Sequence, residues 1–170
     1  MVFGMSLATY TLLHVVISLI GIASGVVVMY GFLNGKSLNS WAAIFLTSTA
    51  LTSITGFGFP FTHLLPSHKV GIVSLIVLAV TIPARYLFHL AGGWRRIYVI
   101  GSTIAFYFNV FVLLVQSFMK VKPLHALAPT QTEAPFAVAQ LLVLAAFVVL
   151  GTFAVKRFRP ASIRMLSRAA

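Results

Sequence analysis

Five histidines carry much of the side-chain chemistry this chain can do, and they stand at positions 14, 63, 68, 89 and 125. An imidazole can ligate iron, donate to a quinone carbonyl or move a proton near neutral pH. His14 lies inside a long apolar run, where a polar side chain is retained when another helix or a ligand satisfies it. His14, Ser18, Gly21 and Gly25 step by four, three and four, which puts them on one stripe of a helix. Ser102, Asn109 and Gln116 repeat every seven residues, and Ser48, Thr52 and Thr55 share a face. At 1.5 Å per residue His14 sits about 10 Å from the start of its run. Thr52, Thr55, Asn109, Gln116 and Gln140 fall at comparable depth in theirs.

The expectation is one polar pocket formed by His14, Thr52, Thr55, Asn109 and Gln116, covered by the segment "TGFGFPFTHLLPSHK" that carries His63 and His68. The same side chains could instead serve as a polar lock between helices, since buried polar groups need partners with or without a ligand. As a site, the pocket suits a quinone head group, with apolar walls for its tail. It also suits b-type haem, for which His14 and His68 are the candidate metal ligands, although their estimated heights differ. Other chemistry is sparse. The chain has no Cys and one acid, Glu133. No H-E-x-x-H, Walker or G-x-S-x-G motif occurs, and His63-x-x-x-x-His68 is not a zinc spacing. A single acid argues against transport coupled through a membrane carboxylate. Three classes follow: a non-enzymatic accessory or small-ligand-binding protein, a haem or quinone redox protein, and an oligomeric channel or permease.

The elements that must position these residues are read from composition. Of 170 residues, 60% are hydrophobic and 8% charged, against roughly 25% charged in an average soluble domain. Mean hydropathy is +1.05. Apolar runs at 7–33, 41–61, 70–90, 97–118 and 135–155 approach or exceed the about 20 helical residues that cross a bilayer. The expected fold is all-α, a five-helix transmembrane bundle over residues 1–155, with a basic tail at 156–170. The first run lacks the basic flank of a signal peptide and reads as retained.

Charge sets the expected orientation. Net charge is +11, from 12 Lys and Arg against the one acid. Five spans place Lys69, Lys120 and Lys122 on one side and the other nine cations on the opposite side. Basic loops stay cytoplasmic, so the amino terminus is expected outside and the carboxyl terminus inside. This sorting by side replaces the nucleic-acid reading that such a charge would suggest in a soluble chain. The tail "KRFRPASIRMLSRAA" would then meet anionic lipids of the inner leaflet. A membrane-protein partner or a second copy of the chain is a further expected contact.

Local signals add detail. Gly56, Gly58 and Pro60 resemble a helix ending, and Thr130 and Glu133 have capping-box spacing, with Pro135 suited to a first helical turn. Arg85 and His89, one turn apart, are expected to snorkel to the interface. Gly21 and Gly25 form a G-x-x-x-G pair expected to meet another helix backbone. From "ITGFGFPF" through "FHLAGGWRRIYVIGSTIAFYFNVFVLLVQSFMKV" to "LHALAPTQTEAPF", the chain resembles uncharacterised small integral membrane proteins of Gram-negative bacteria. That resemblance implies an inner-membrane location and carries over no functional residue.

Overall fold

A computed structural model of the protein describes residues 2, 4–60 and 66–159. His63 and most of the basic tail lie outside the described residues. The described chain is all-helical: α1 Leu7–Leu33, α2 Asn39–Thr55, α3 Pro66–Tyr86, α4 Trp94–Lys120, α5 Lys122–Leu127 and α6 Ala134–Arg157, with a 3₁₀ turn at Gly56–Gly58.

Local sequence explains the ends. Ser6 caps α1 by accepting from the Thr9 amide at 3.1 Å. At the other end Gly35 takes φ +65°. The Lys36 amide donates to Gly31 O at 2.8 Å and the Gly35 amide to Phe32 O at 3.2 Å, a Schellman ending that satisfies carbonyls the helix leaves open. Helix α2 stops at Thr55 rather than reaching 61, because the Gly-Phe-Gly triplet tightens into the 3₁₀ turn. Phe59, held before Pro60, is extended at φ −72°, ψ 141°. The run expected at 70–90 forms a helix displaced toward the amino terminus, starting with Pro66 as its first residue. His68 is therefore in the first turn of α3, not in a loop. The segment read as a connection after Lys120 holds the short helix α5.

Four helices are long and apolar enough to cross a membrane: α1, Ser67–Tyr86 of α3, α4 and α6. The second of the five expected spans differs, since α2 has only 17 residues and rises about 26 Å. Helix α4 is central and touches every other α-helix. Its inward face, Tyr98, Val99, Ser102, Ala105 and Phe106, packs with Phe32, Phe45, Leu78, Phe147 and Phe158 in the core. The opposite surfaces are apolar: Leu12, Val16 and Val26 on α1, and Leu141, Leu142 and Val148 on α6, are exposed. Such a surface suits hydrocarbon, where backbone polar groups must be satisfied within helices.

Glycines allow the close approaches. A Cβ at Gly25 would lie 2.6 Å from the Phe106 ring, and one at Gly21 would meet Ser48, Asn109 and Thr49 side chains at 3.3 to 3.5 Å. The atoms nearest the G-x-x-x-G pair are therefore side chains of α2 and α4. Gly101 is tighter still, since a Cβ there would overlap Thr81 Oγ1.

Candidate functional site

The alternating helices give the bundle two ends, one carrying the start of α1 and the other the end of α6. Near the first, His14 projects from α1 onto the last turn of α2, where its Nδ1 lies 2.8 Å from Thr55 Oγ1. The Thr55 hydroxyl has one proton and donates it to the Leu51 carbonyl at 2.7 Å, with Thr52 O at 3.3 Å. His14 Nδ1–H is therefore the donor to Thr55, which leaves Nε2 with its lone pair. Tyr10, one turn before His14, donates to the Thr55 carbonyl at 2.6 Å, closing a carbonyl that the end of α2 leaves open. Phe59 sets its ring edge-on to both, 5.2 Å from His14 and 5.0 Å from Tyr10. A Cβ at Gly56 would lie 3.9 Å from His14 Cε1, an ordinary contact distance.

A second polar contact lies deeper. Asn109 Nδ2 donates to Thr49 Oγ1 at 2.9 Å, beside Gly21. Gly21 follows His14 by seven residues, so Asn109 lies about 10 Å farther along the bundle axis than His14. Gln116, two turns on from Asn109, returns to the level of His14; it is half-buried. Thr52 Oγ1 and Gln140 Oε1 are buried without a hydrogen-bond partner. A third link joins α2 to α3, where Ser53 Oγ donates to Ser74 Oγ at 3.0 Å.

Of the five residues expected to converge, His14, Thr55 and Asn109 make interhelical hydrogen bonds, at two levels. His14 and Thr55 bond directly. Asn109 uses Thr49 instead, and Thr52 stands between the two levels. Thr49 is not on the face shared by Ser48, Thr52 and Thr55, although it lies one turn before Thr52. Tyr10 was legible as the residue four before His14 on the same stripe. His68 is buried and stacks on Phe57 at 5.5 Å, so the two described histidines considered as ligands pack against different phenylalanines.

Two grooves of about 410 and 440 Å³ lie between α1 and α2 and between α4 and α6. His14, Thr52, Thr55, Asn109 and Gln116 line neither of them. Among the described residues no three His, Cys, Asp or Glu side chains gather as a metal site. No protein-family model, curated protein or solved structure matches this chain. Its chemistry is read from its own residues.

The single acid is structural. Glu133 accepts from the Thr130 hydroxyl at 2.9 Å and from the Thr130 and Thr132 amides at 3.2 and 3.1 Å. Slight desolvation pushes its pKa up, but these hydrogen bonds outweigh it and hold the carboxyl below its ordinary value. The carboxylate closes the turn that leads into α6.

At the opposite end Arg85 is buried rather than snorkelled, because α3 ends at Tyr86 and His89 turns away with φ +47°. Its Nη2 donates to Asn39 Oδ1 at 2.7 Å, and its guanidinium lies over the Tyr98 ring at 5.0 Å. Arg95 Nη1 donates to the carbonyls of Val155, at 3.1 Å, and Phe158, capping the end of α6.

Proposed function

We propose that the protein is a multi-pass inner-membrane protein of non-enzymatic, accessory type, whose polar layer fastens α1, α2 and α4 together. One observation carries this reading: two hydrogen bonds, His14 to Thr55 at 2.8 Å and Asn109 to Thr49 at 2.9 Å, tie α1 to α2 and α4 to α2. Helix α2 with its 3₁₀ turn has 20 residues from Asn39 to Gly58 and rises about 31 Å, enough for a fifth crossing. Five crossings, the amino terminus outside and the basic carboxyl terminus inside, agree with the sorting of cations. The resemblance to Gram-negative membrane proteins supports the inner membrane as the location.

A second reading is a small-ligand or redox protein, with a quinone carbonyl or haem iron at His14. The free Nε2 lone pair favours it, because a ligating histidine characteristically donates its other nitrogen as His14 does to Thr55. One experiment separates the two. Protein purified from haem-replete, quinone-containing membranes is expected to be colourless and free of stoichiometric quinone. A Soret band, or a co-purified quinone, that disappears on His14→Ala would overturn the lock in favour of the site.

A further inference from the structure

Arg85 is a cation nine-tenths buried in a protein whose single acid lies at the other end of the bundle. Its relative exposure is 9%, and Asn39 Oδ1 is its one hydrogen-bond acceptor among the described residues. That acceptor is shared, since Ser37 Oγ also donates to it at 2.9 Å. A guanidinium has five N–H donors, so most of its donors have no acceptor among the described residues, and none of its nitrogens is among the fully buried unpartnered atoms, which leaves them open to a ligand from outside. Glu133 precedes α6, whereas Phe158, which follows α6, packs on Tyr98 beneath Arg85. The 24 residues of α6 separate the two, a rise of about 36 Å, far beyond direct pairing.

Among the described residues the surroundings supply neutral hydroxyls and no carboxylate. Tyr98 Oη and Ser102 Oγ are buried and make no hydrogen bond of good geometry, although the Tyr98 hydroxyl stands close to both Ser102 and Arg85. Arg95, Arg96, Lys156 and Arg157 stand at the same end. A buried cation without a counter-ion is strongly unfavourable. The two tyrosine rings, Tyr98 at 5.0 Å and Tyr86 at 5.6 Å, offset part of that penalty and hold the planar fork in place.

We propose that Arg85 is an anion site for the phosphate of an anionic lipid headgroup, seated where α2 begins and α3 ends. A planar fork pre-oriented on an aromatic face is suited to bidentate phosphate recognition. The lipid is favoured over free phosphate because the site lies at the end of the membrane-crossing helices, where headgroups are concentrated. The assignment rests on the multi-pass reading but not on which end faces the cytoplasm. Reporter fusions test that reading separately.

The test uses full-length protein in a neutral detergent, with native mass spectrometry and thermal unfolding on addition of phosphatidylglycerol, phosphatidylcholine or inorganic phosphate. The native protein should retain phosphatidylglycerol over phosphatidylcholine. Arg85→Gln should weaken that retention at least tenfold, whereas neutralising Lys156, Arg157 and Arg159 together should weaken it only a few fold. If Arg85→Gln fails to fold, Arg85→Lys is the readout. It keeps the charge, loses the fork, and should still bind several-fold more weakly. Undiminished binding in the folded Arg85 variants, or loss confined to the Lys156, Arg157 and Arg159 variant, would overturn the proposal. Equal Arg85-dependent stabilisation by millimolar inorganic phosphate would overturn the lipid assignment and give the site to the soluble anion.

Discussion

The two ends of the bundle handle polarity differently. At the end bearing His14, neutral polar groups meet one another: imidazole with threonine hydroxyl, phenol with carbonyl, and deeper in, amide with hydroxyl. At the end bearing Arg85, a cation lies among aromatic rings and two unpartnered hydroxyls, with one amide oxygen as acceptor. Neutral donors and acceptors can be matched within a chain rich in Ser and Thr. A cation cannot be matched when the only acid lies at the other end of α6. Each end leaves two buried polar atoms without a partner, Thr52 Oγ1 and Gln140 Oε1 at the first and Tyr98 Oη and Ser102 Oγ at the second, so the difference between the ends is the buried charge of Arg85.

The comparison can be broken most severely through packing. Gly101→Val should destabilise the Arg85 half by about 3 kcal/mol, because any Cβ there overlaps Thr81 Oγ1, itself held by the Val77 carbonyl at 2.7 Å. Thermal unfolding in detergent measures it, and an unchanged midpoint would mean that α3 and α4 separate more easily than their contact implies. Gly25→Leu, facing Phe106, should act in the same direction.

Next come the polar contacts. Thr49→Val or Thr55→Val should each cost about 0.6 to 1.7 kcal/mol, the range for interhelical hydrogen bonds in membranes. A double-mutant cycle pairing Thr49→Val with Asn109→Ala should show coupling of that order, and simple additivity would remove the bond from the account.

At the other end the sign should reverse. Tyr98→Phe deletes a buried hydroxyl that has no partner, so stability in lipid-free detergent should rise by about 1 kcal/mol. A fall of that size would reveal a hydrogen bond made in solution. Gly56→Ala is expected to change least, staying within about 1 kcal/mol and tending to stabilise, because Gly56 has helical φ −56° and its nearest neighbour lies 3.9 Å away.

Acid sharpens the contrast in a different way. Glu133 has a folded pKa below its ordinary value, so the unfolded chain binds its proton first as pH falls. The stability it contributes is present above the ordinary carboxylate range and is lost as pH drops through the depressed folded value. Unfolding midpoints followed from neutral pH to pH 3 should show this loss in the native protein and not in Glu133→Gln.

Much of this architecture was legible in residues taken in order. The first apolar run and α1 share the bounds 7–33, because nothing between Leu7 and Leu33 interrupts the helix, while Asn34 and Gly35 end it. The turn at Thr130 to Glu133 follows from local hydrogen-bonding types. So does the pairing stripe of His14, since residues three, four or seven apart on a helix keep a shared face without help from the rest of the fold. Helical period, apolar length and turn chemistry are local properties, and local properties are written in sequence.

Which stripe meets which was decided by the tertiary structure. Asn109 bonds Thr49 rather than the Thr52 level because α2 and α4 meet over Gly21 of α1, which Ser48, Thr49 and Asn109 all approach. No periodicity within one helix records that meeting. Arg85 likewise reads as a snorkelling residue near a helix end, and only the meeting of α2, α3 and α4 places Asn39 and Tyr98 around it. The sequence determined that the chain has a single acid and so cannot supply an internal counter-ion at both ends. Packing decided which cation would be buried without one, because burial is a property of neighbours and not of the residue itself.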